Sequence, residues 1–281
     1  MVKETLFQCP NCSKSLKKGE KQYFCPNGHN FDIAKKGYVN LLLPSHTGSG
    51  TPGDSKEMLQ SRRAFLNKGY YENFSNSIND LIAYQLQVNS EKGKSFNILD
   101  AGCGEGYYTY RLKNKLANFC NHKEINYYGI DVSKPAIHYA SSRDQDILFA
   151  VASNYHIPIL ESSIDCILCI FAPRDEQEFS RILKPAGKLI VAAPGPRHLY
   201  SFRQILSENP NIIGQKGTVG EGFMLSEQRN VTYDLHLKSK DDLLNLFMMT
   251  PYSRHAAMET VEGLSEFTTE VDIEILAYQK I

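Results

Sequence analysis

Residues 96–106 read FNILDAGCGEG, and this stretch decides the fold. Residues 96–101 form a short, largely apolar run that contains one acid near its end, which predicts a buried strand. Three glycines follow at alternate positions, and YYTYRLKNKL at 107–116 has the pattern of a helix. A strand, a glycine-rich turn and a helix in this order are typical of an open α/β sheet that binds a ligand at the carboxyl ends of its strands.

The spacing of the glycines narrows the class of ligand. Gly102, Gly104 and Gly106 give the pattern G-x-G-x-G, whereas a dinucleotide fingerprint needs a glycine where Tyr107 stands. The chain also contains no G-x-x-x-x-G-K-[ST] phosphate loop. We therefore expect a smaller and less anionic ligand than a dinucleotide or a nucleoside triphosphate.

The end of the next predicted strand favours a ligand that contains ribose. Residues 125–131 read INYYGID, and Asp131 lies 27 residues after Gly104. A carboxylate at this place can accept hydrogen bonds from both ribose hydroxyls. Helix and strand patterns then alternate as far as residue 195, which predicts a doubly wound sheet.

The segment LKPAGK at 183–188 lies between a predicted helix and a predicted strand. Together with the pattern D-x-G-x-G-x-G at 100–106 and with Asp131, it resembles the class I S-adenosylmethionine-dependent methyltransferases. The resemblance implies a Rossmann-like α/β sheet whose last strands, within 223–237 and 267–279, form a reversed hairpin at the edge. It also implies S-adenosylmethionine as the methyl donor.

A metal site is predicted near the start of the chain. Two residues separate Cys9 from Cys12 in CPNC, and the segment CPNGH brings Cys25 close to His29. Three thiolates and an imidazole in two close pairs fit a closed, tetrahedral structural zinc site without an open position for catalysis. The alternative is a set of buried or redox-active thiols. We expect a small N-terminal Cys3His zinc-binding domain.

The net charge of zero hides an asymmetry. Residues 1–70 contain eleven Lys or Arg against five Asp or Glu, so the remainder of the chain carries the opposite excess. Chance clustering on a solvated surface is one interpretation, and a polyanionic partner is the other. Within the basic part, FDIAKKGY at 31–38 interleaves lysines with aromatic rings, which can neutralise phosphates and stack unpaired bases.

A loop and a helix connect the two predicted parts. Residues 44–54 are rich in Pro, Gly, Ser and Thr, which indicates a flexible loop. Asp54 or Ser55 can cap the helix that follows, and Gly69 can end it.

Several segments narrow the resemblance to one family. They are CPNC, CPNGHNFDIAKKGYVNLL, PGDSKEMLQSRRAFLNKGYY, DAGCGEGYYT, DVSKPAI, FAP and PGPRHL, in chain order. Together they resemble the RlmA family of 23S rRNA (guanine-N1)-methyltransferases, over nearly the whole chain and most weakly after about residue 210. The resemblance implies a zinc-binding rRNA-recognition module at 1–43, a linker and basic helix at 44–72, and a methyltransferase domain at 73–281. The partner is then a 23S rRNA hairpin.

The resemblance also implies the residues of the cofactor site, with the glycine loop at the methionine end, Asp131 at the ribose and residues 132, 153 and 154 near the adenine. The expected cofactor-binding residues are Tyr71, Asp100, Gly102, Gly104, Glu105, Gly106, Asp131, Val132, Ser153, Asn154 and His198. Two of them have a structural alternative, because Tyr71 can be a helix-packing aromatic and His198 a residue at a helix N-terminus.

Methylation at N1 of guanine requires help at the base, because N1 bears a proton at neutral pH. Phe171, in the FAP segment, is the candidate for stacking on the base, with a core position as the alternative. Arg174 and Arg197 are candidates for stabilising negative charge at O6. Asp175 or Glu176 is the candidate for accepting the proton.

Two rival functions stay open in the sequence. One is a class I methyltransferase that acts on a small molecule or a protein, with a purely structural zinc knuckle. The other is a non-catalytic zinc-dependent RNA-binding protein. No window approaches the roughly 18 apolar residues of a membrane span, and nothing resembles a secretory signal, so we expect a cytoplasmic protein with no membrane partner. The sequence leaves both a monomer and a homodimer open.

Overall fold

The computed structural model describes residues 2–46, 53–88, 95–117, 124–207, 217–254 and 258–281. Residues 47–52 of the predicted flexible loop lie outside the described ranges. Twelve strands are assigned in these ranges: β1 Lys3–Gln8, β2 Ser15–Lys18, β3 Gln22–Phe24, β4 Asn30–Asp32, β5 Val39–Asn40, β6 Phe96–Ala101, β7 Ile125–Asp131, β8 Leu148–Val151, β9 Ile164–Ile170, β10 Leu183–Pro194, β11 Phe223–Leu237 and β12 Phe267–Lys280.

Along the chain, most helices of the described ranges alternate with strands of the larger sheet. They are α1 Lys56–Asn67, α2 Glu72–Val88, α3 Tyr107–Ala117, α4 Lys134–Arg143, α5 Glu176–Ile182, α6 Tyr200–Leu206, α7 Lys240–Met249 and α8 Glu259–Glu262. Short 3-10 turns occupy Pro44–His46 and Pro251–Arg254. No helix in the described ranges is long and apolar enough to cross a membrane.

The larger sheet has the strand order β11-β12-β10-β9-β6-β7-β8-β5. Strands β10, β9, β6, β7 and β8 pair in parallel, whereas β12 is antiparallel to both of its neighbours. The predicted Rossmann-like α/β sheet and its reversed hairpin are therefore confirmed. The chain reverses its direction of winding between β6 and β9, and ligands of such sheets bind at this switch point.

Side-chain caps at the helix starts explain why several helices begin where they do. Ser55 accepts a hydrogen bond from the backbone N–H of Met58 at the start of α1. Ser133 does the same for Ala136 at the start of α4, and Asp175 caps α5. Each cap satisfies a backbone N–H that has no partner within its helix.

The N-terminal segment packs against the larger sheet. Phe7 makes edge-to-face contacts with Tyr23 of its own small sheet and with Tyr128 of β7, at ring distances of 5.7 and 5.5 Å. The backbone N–H of Gln8 donates to Pro158 at 2.8 Å. Strand β5 adds to the edge of the larger sheet beside β8. Apolar residues of the small sheet thus share a buried cluster with one face of the larger one, while the predicted boundary at residue 43 stays a prediction.

Burial changes the interpretation of the aromatic and basic segment at 31–38. Tyr38 is buried in the core on the other face of the sheet, with its ring edge-on to His138. Its ring therefore cannot stack on an RNA base. Lys35 and Lys36 are exposed and remain able to contact phosphates.

Candidate active site and metal centre

The four predicted metal ligands converge at one point. The ligand atoms of Cys9, Cys12, Cys25 and His29 all lie within 4.8 Å of one another. The Sγ of Cys12 is 3.6 Å from that of Cys25, and the Nδ1 of His29 is 3.5 Å from Cys9 Sγ and 3.4 Å from Cys25 Sγ. Tetrahedral zinc with bonds of about 2.3 Å to sulfur and about 2.0 Å to nitrogen separates its ligand atoms by about 3.5–3.8 Å. The cluster therefore fits zinc in size and in donor type.

Two tight turns aim the ligands inward. In the first, the backbone N–H of Ser13 donates to the carbonyl of Cys9 at 2.8 Å, and Ser13 itself is left-handed with φ of 58°. In the second, the N–H of Gly28 donates to Cys25 at 3.0 Å, with φ of 82°. The Cys3His set closes all four positions of a tetrahedron, so the zinc it holds is structural and leaves no place for substrate.

A cavity of about 1170 Å³ opens at the carboxyl ends of the central strands. Residues that follow β6, β7, β8 and β9, and the last residues of β10, form its floor, while α1 and the segment after α7 cover it. This volume slightly exceeds the usual range for a site that holds one small ligand. It leaves room for a nucleoside-sized cofactor and part of a second molecule.

The glycine turn forms a close-packed wall of this cavity. A Cβ on Gly102 would come within 2.4 Å of the Ala172 side chain, so only glycine allows the turn to approach the segment after β9. Gly104 is left-handed, and its missing Cβ leaves a space that faces Arg62 at 3.6 Å. The turn thus presents bare backbone to a ligand.

Asp131 is held in place at the end of β7. Its Oδ2 accepts the N–H of Gly104 at 2.9 Å, and its Oδ1 accepts the N–H of Ser133 at 2.8 Å. Desolvation by burial raises the pKa of the Asp131 carboxyl, although the two backbone donors oppose the shift. Each carboxylate oxygen retains a lone pair for a ligand hydroxyl, which agrees with the predicted contact to ribose.

Asn154 supplies a polar atom that lacks a protein partner within the described part of the chain. Its Nδ2 donates to the carbonyl of Pro173 at 2.8 Å, but its Oδ1 is buried without a hydrogen bond. Asn154, Ser153 and Val132 line the cavity together. An unpaired buried carbonyl oxygen is costly, and an amino donor such as that of adenine would satisfy it. The donor set therefore fits S-adenosylmethionine.

Three predicted cofactor-binding residues support the turn from behind. Asp100 and Gly106 are absent from the cavity lining; Asp100 is buried and accepts a hydrogen bond from the hydroxyl of Thr109. Burial raises the pKa of Asp100 to about 7. Glu105 reaches the lining, but its buried carboxylate is paired with Arg143 and Arg63. The side chains of Asp100 and Glu105 position the loop, and contact of all three residues with the cofactor stays a prediction.

Tyr71 and His198 meet inside the cavity. The hydroxyl of Tyr71 lies 3.3 Å from the Nε2 of His198, and the Nδ1 of His198 accepts the backbone N–H of Asp272 at 3.3 Å. Because that amide can only donate, Nδ1 carries no proton and Nε2 donates to Tyr71. Burial lowers the pKa of His198 to about 4 and raises the pKa of Tyr71. Both side chains are therefore neutral at pH 7.

Phe171 occupies a strained position at the mouth of the cavity. Its backbone is left-handed with φ of 52°, an uncommon conformation for a bulky residue. Its ring stacks on His198 at 6.1 Å, yet 43% of the residue is exposed. Strained residues of this kind persist where the surrounding structure fixes them and often mark ligand sites. A core position, which was the alternative for Phe171, does not agree with this exposure.

The remaining catalytic candidates divide into two groups. Arg174 lines the cavity and donates to the carbonyl of Thr218 at 2.6 Å. Asp175 does not line it, and its Oδ1 accepts two backbone N–H groups as the cap of α5. Arg197 is exposed and lies outside the lining, and its backbone N–H donates to the Asp272 carboxylate. Glu176, the other candidate proton acceptor, lies outside the lining with its carboxylate 3.6 Å from the Nε of Arg174. The roles of all four stay predictions, and the geometry favours Arg174 among them.

Sequence patterns missed several residues of the cavity wall. Arg62 and Asp54 line it from α1 and its approach, Met249 from the last residue of α7, and Tyr252 from the segment that follows α7. Arg62 is recognisable in sequence only as part of the polar face of α1. That this face covers the glycine turn depends on packing between distant elements, which periodicity does not reveal.

Comparison with protein families gives two matches along the chain. A family described as "RlmA, N-terminal", a zinc ribbon, matches residues 7–49. A second family, described as "Methyltransferase domain", matches residues 92–247. The two matches coincide with the zinc cluster and with the core of the larger sheet.

Two named relatives and one solved structure show further similarity. A Bacillus subtilis (strain 168) protein named "Putative 23S rRNA (guanine-N(1)-)-methyltransferase YxjB" is 31% identical over 288 residues, which cover 98% of each chain. The Streptomyces fradiae "23S rRNA (guanine(748)-N(1))-methyltransferase" is 30% identical over 193 residues, 68% of this chain and 64% of that protein. Phosphoethanolamine N-methyltransferase 2 of Haemonchus contortus, solved with S-adenosyl-L-methionine, has 16% identity and a TM-score of 0.41, over 72% of this chain and 52% of that one.

Proposed function

This chain belongs to the RlmA family of 23S rRNA (guanine-N1)-methyltransferases, and from that premise we propose that it methylates N1 of a guanine in a 23S rRNA hairpin loop. The observation that carries the proposal is the exposed, strained Phe171 at the mouth of a cavity that also holds the Asp131 and glycine-turn wall. One cavity thus combines a wall suited to the cofactor with an aromatic platform suited to a base.

The residues that would hold S-adenosylmethionine lie at or just after the carboxyl ends of three neighbouring strands. Asp131 would accept the ribose hydroxyls, and Asn154 would accept from the adenine amino group through its unpaired Oδ1. Gly104 leaves backbone open toward the amino-acid end. When bound, the cofactor supplies an electrophilic methyl group, so the protein contributes mainly position and exclusion of water.

Phe171 would position the target base. N1 lies on the pairing edge of guanine, so the base must be unpaired or flipped out of its stack before it can react. An exposed ring at the cavity mouth provides a stacking surface for such a base. This requirement supports a loop, rather than a paired stem, as the substrate.

The groups around the cavity favour stabilising an anionic base over general-base catalysis. The carboxylates that line the cavity in the described ranges are Asp54, Glu105 and Asp131, and all belong to the wall formed by the glycine turn, β7 and the approach to α1. The Nε2 of His198 already carries a proton. We therefore assign Arg174 to O6, where its charge would favour loss of the N1 proton to solvent. Unchanged turnover of Arg174→Met at saturating RNA would remove this role.

Exposed lysines of the N-terminal module would contact the RNA backbone. Lys14, Lys21, Lys35 and Lys36 of this module are exposed. Lysine contacts to phosphates supply affinity without reading sequence. The zinc cluster would act by holding this basic surface in one conformation.

Nucleoside analysis tests the proposed product. The protein is incubated with methyl-labelled S-adenosylmethionine and unmodified 23S rRNA, and the RNA is digested to nucleosides. We expect the label in 1-methylguanosine. Label in another nucleoside would contradict the N1 assignment, and absence of label from RNA while S-adenosylhomocysteine still binds would favour a small-molecule or protein substrate.

A further inference from the structure

Arg62 extends from α1 into the wall of the cavity. Its Nη1 lies 3.6 Å from the place where a Cβ on Gly104 would stand, so its guanidinium faces the open backbone of the glycine turn. Arg62 and Arg174 are the two lysine or arginine side chains in the lining, counted over the residues that the structure describes. Arg174 follows β9, and Arg62 covers the turn after β6. The cavity therefore has one cation on the cofactor wall.

The guanidinium is oriented but retains unused donors with respect to the residues that the structure describes. Its Nη1 forms an ion pair with the Oδ2 of Asp54 at 2.5 Å, and its Nη2 donates to the carbonyl of Met249 at 3.3 Å. These contacts account for two of the five N–H groups of an arginine. The side chain is 28% exposed, so it is partly desolvated and held in place. Such an arginine is well suited to bind a carboxylate through two parallel hydrogen bonds.

The direction of the cofactor follows from its other contacts. If Asp131 binds the ribose and Asn154 the adenine, the amino-acid end must extend the opposite way, across Gly104 toward α1. The carboxylate is the negatively charged group of S-adenosylmethionine. We propose that Arg62 binds the carboxylate at the amino-acid end of the cofactor and so selects ligands that carry this group.

This inference rests on the methyl-donor part of the proposed function and is independent of its RNA part. Arg62 would contribute to affinity for both S-adenosylmethionine and S-adenosylhomocysteine, because both have the same amino-acid end. It would contribute nothing to the affinity for 5′-methylthioadenosine, which lacks that end.

Calorimetric titration of the full-length zinc-loaded protein tests the assignment. Arg62→Met should lower the affinity for S-adenosylhomocysteine about 30-fold, the usual effect of losing a charged hydrogen-bonded pair. Its affinity for 5′-methylthioadenosine should stay within about twofold of the wild-type value. Arg62→Lys should give an intermediate loss, because it keeps the charge but not the paired donors.

Two control variants separate ligand binding from folding. Asp54→Asn weakens the ion pair that orients Arg62 but leaves the guanidinium, so the affinity for S-adenosylhomocysteine should fall less than in Arg62→Met. Lys56→Met removes one positive charge from the same helix at an exposed position outside the lining, and should have no effect on either ligand.

The outcomes decide between the alternatives. A loss by Arg62→Met that is specific to S-adenosylhomocysteine supports the assignment. An equal loss for both ligands, or a loss by Asp54→Asn as large as that by Arg62→Met, shows a purely structural ion pair and overturns it. Unchanged affinity in Arg62→Met also overturns it, while methylation of 23S rRNA by the wild type would leave the proposed function standing.

Discussion

The zinc cluster and the cavity differ in how the chain assembles them. The four zinc ligands lie between residues 9 and 29, and two short turns aim them at one point. The cavity draws its wall from residues between Gly53 and Tyr252, carried by many different elements. Local spacing is thus enough to specify the first site. The second exists only when the sheet and its covering helices have packed.

The polar groups of the zinc cluster and of the cavity also differ in chemical state. The zinc ligands are soft donors that a metal ion satisfies. In the cavity, His198 and Tyr71 are buried as neutral groups, and Asn154 has an unpaired oxygen. The comparison predicts that damage to the cluster impairs the RNA reaction most, whereas damage to the cavity wall impairs cofactor binding.

The largest expected effect comes from the metal cluster. Cys25→Ser removes one thiolate from a closed site, so bound zinc should be lost and the basic module should lose its ordered form. We expect rRNA methylation to fall about 1000-fold, because phosphate contacts supply much of the affinity for RNA. Affinity for S-adenosylhomocysteine should change by less than about tenfold.

Zinc content, methylation rate and calorimetry together check this prediction. Cys166→Ala is the matched control, because Cys166 is buried in β9 far from the cluster in sequence. It should keep its zinc and its activity. Full methylation by a zinc-free Cys25→Ser protein would contradict the claim that the RNA reaction depends on the zinc cluster.

The next largest effect lies at the end of β7. In Asp131→Asn the side-chain amide nitrogen would face the backbone N–H of Gly104 or Ser133, so two donors would meet. The variant would also lack the negative charge that strengthens hydrogen bonds from the ribose hydroxyls. We expect affinity for S-adenosylhomocysteine to fall about 100-fold, with zinc content unchanged. Calorimetry and metal analysis measure both.

Asp146→Asn is the control for the lost charge, because its side chain is 86% exposed and pairs with Lys113 at the surface. It should bind cofactor like the wild type. If Asp131→Asn binds S-adenosylhomocysteine equally well, the ribose contact assigned to Asp131 is wrong.

The buried His198 predicts a pH effect on stability. Its pKa in the folded protein is about 4, below the usual value of 6.5, so the unfolded chain takes up a proton before the folded one as pH falls. Its contribution to stability is therefore full above pH 6.5 and is lost as the pH falls toward 4. Between pH 7.5 and 5 we expect a loss of about 2 kcal/mol.

The contribution of His198 is isolated by the difference in unfolding free energy between the wild type and His198→Gln, measured in urea at both pH values. Burial acts on Asp100 in the opposite sense. It raises the pKa of this carboxyl, so the contribution of Asp100 to stability falls as the pH rises. That effect is common to both proteins and cancels in the difference. A pH-independent difference would show that His198 is not held neutral by burial.

The smallest effect is expected at the cavity mouth. Phe171→Leu keeps an apolar side chain but removes the stacking face, so kcat/KM for RNA should fall about tenfold. Affinity for S-adenosylhomocysteine should be unchanged. Tyr84→Leu, at an exposed aromatic outside the cavity lining, is the control and should leave both quantities unchanged. Equal RNA kinetics of Phe171→Leu and wild type would remove Phe171 from the base site.

Much of the fold follows from local chemistry. The glycine turn, the cap at Ser55, the alternation of strands and helices and the zinc pairs are all visible within short windows of sequence. The sequence does not predict the edge strand β5, because its two residues, inside the N-terminal module, carry no pattern that indicates pairing with β8. Sequence therefore predicted the sheet better than the way in which the N-terminal segment joins it.

The candidate site was predicted less completely, and the reason is physical. Asp131 ends a strand and Asn154 follows one, so topology fixes their positions. Arg197 and Arg174 look alike in sequence, yet one is exposed and the other lines the cavity. Arg62 reaches the same cavity only because α1 packs over the turn. Side chains brought together by helix packing cannot be identified from the spacing of residues along the chain.

The central claim is that this chain modifies the pairing edge of one guanine in 23S rRNA. Reverse transcription across unmodified 23S rRNA, before and after reaction with the protein and S-adenosylmethionine, tests it most directly, because a methyl group on N1 blocks base pairing and stops the polymerase. The account predicts a single new stop at a guanine in a hairpin loop, which is absent with Cys25→Ser. Full-length products without a new stop, from a protein that binds S-adenosylhomocysteine normally, would contradict it.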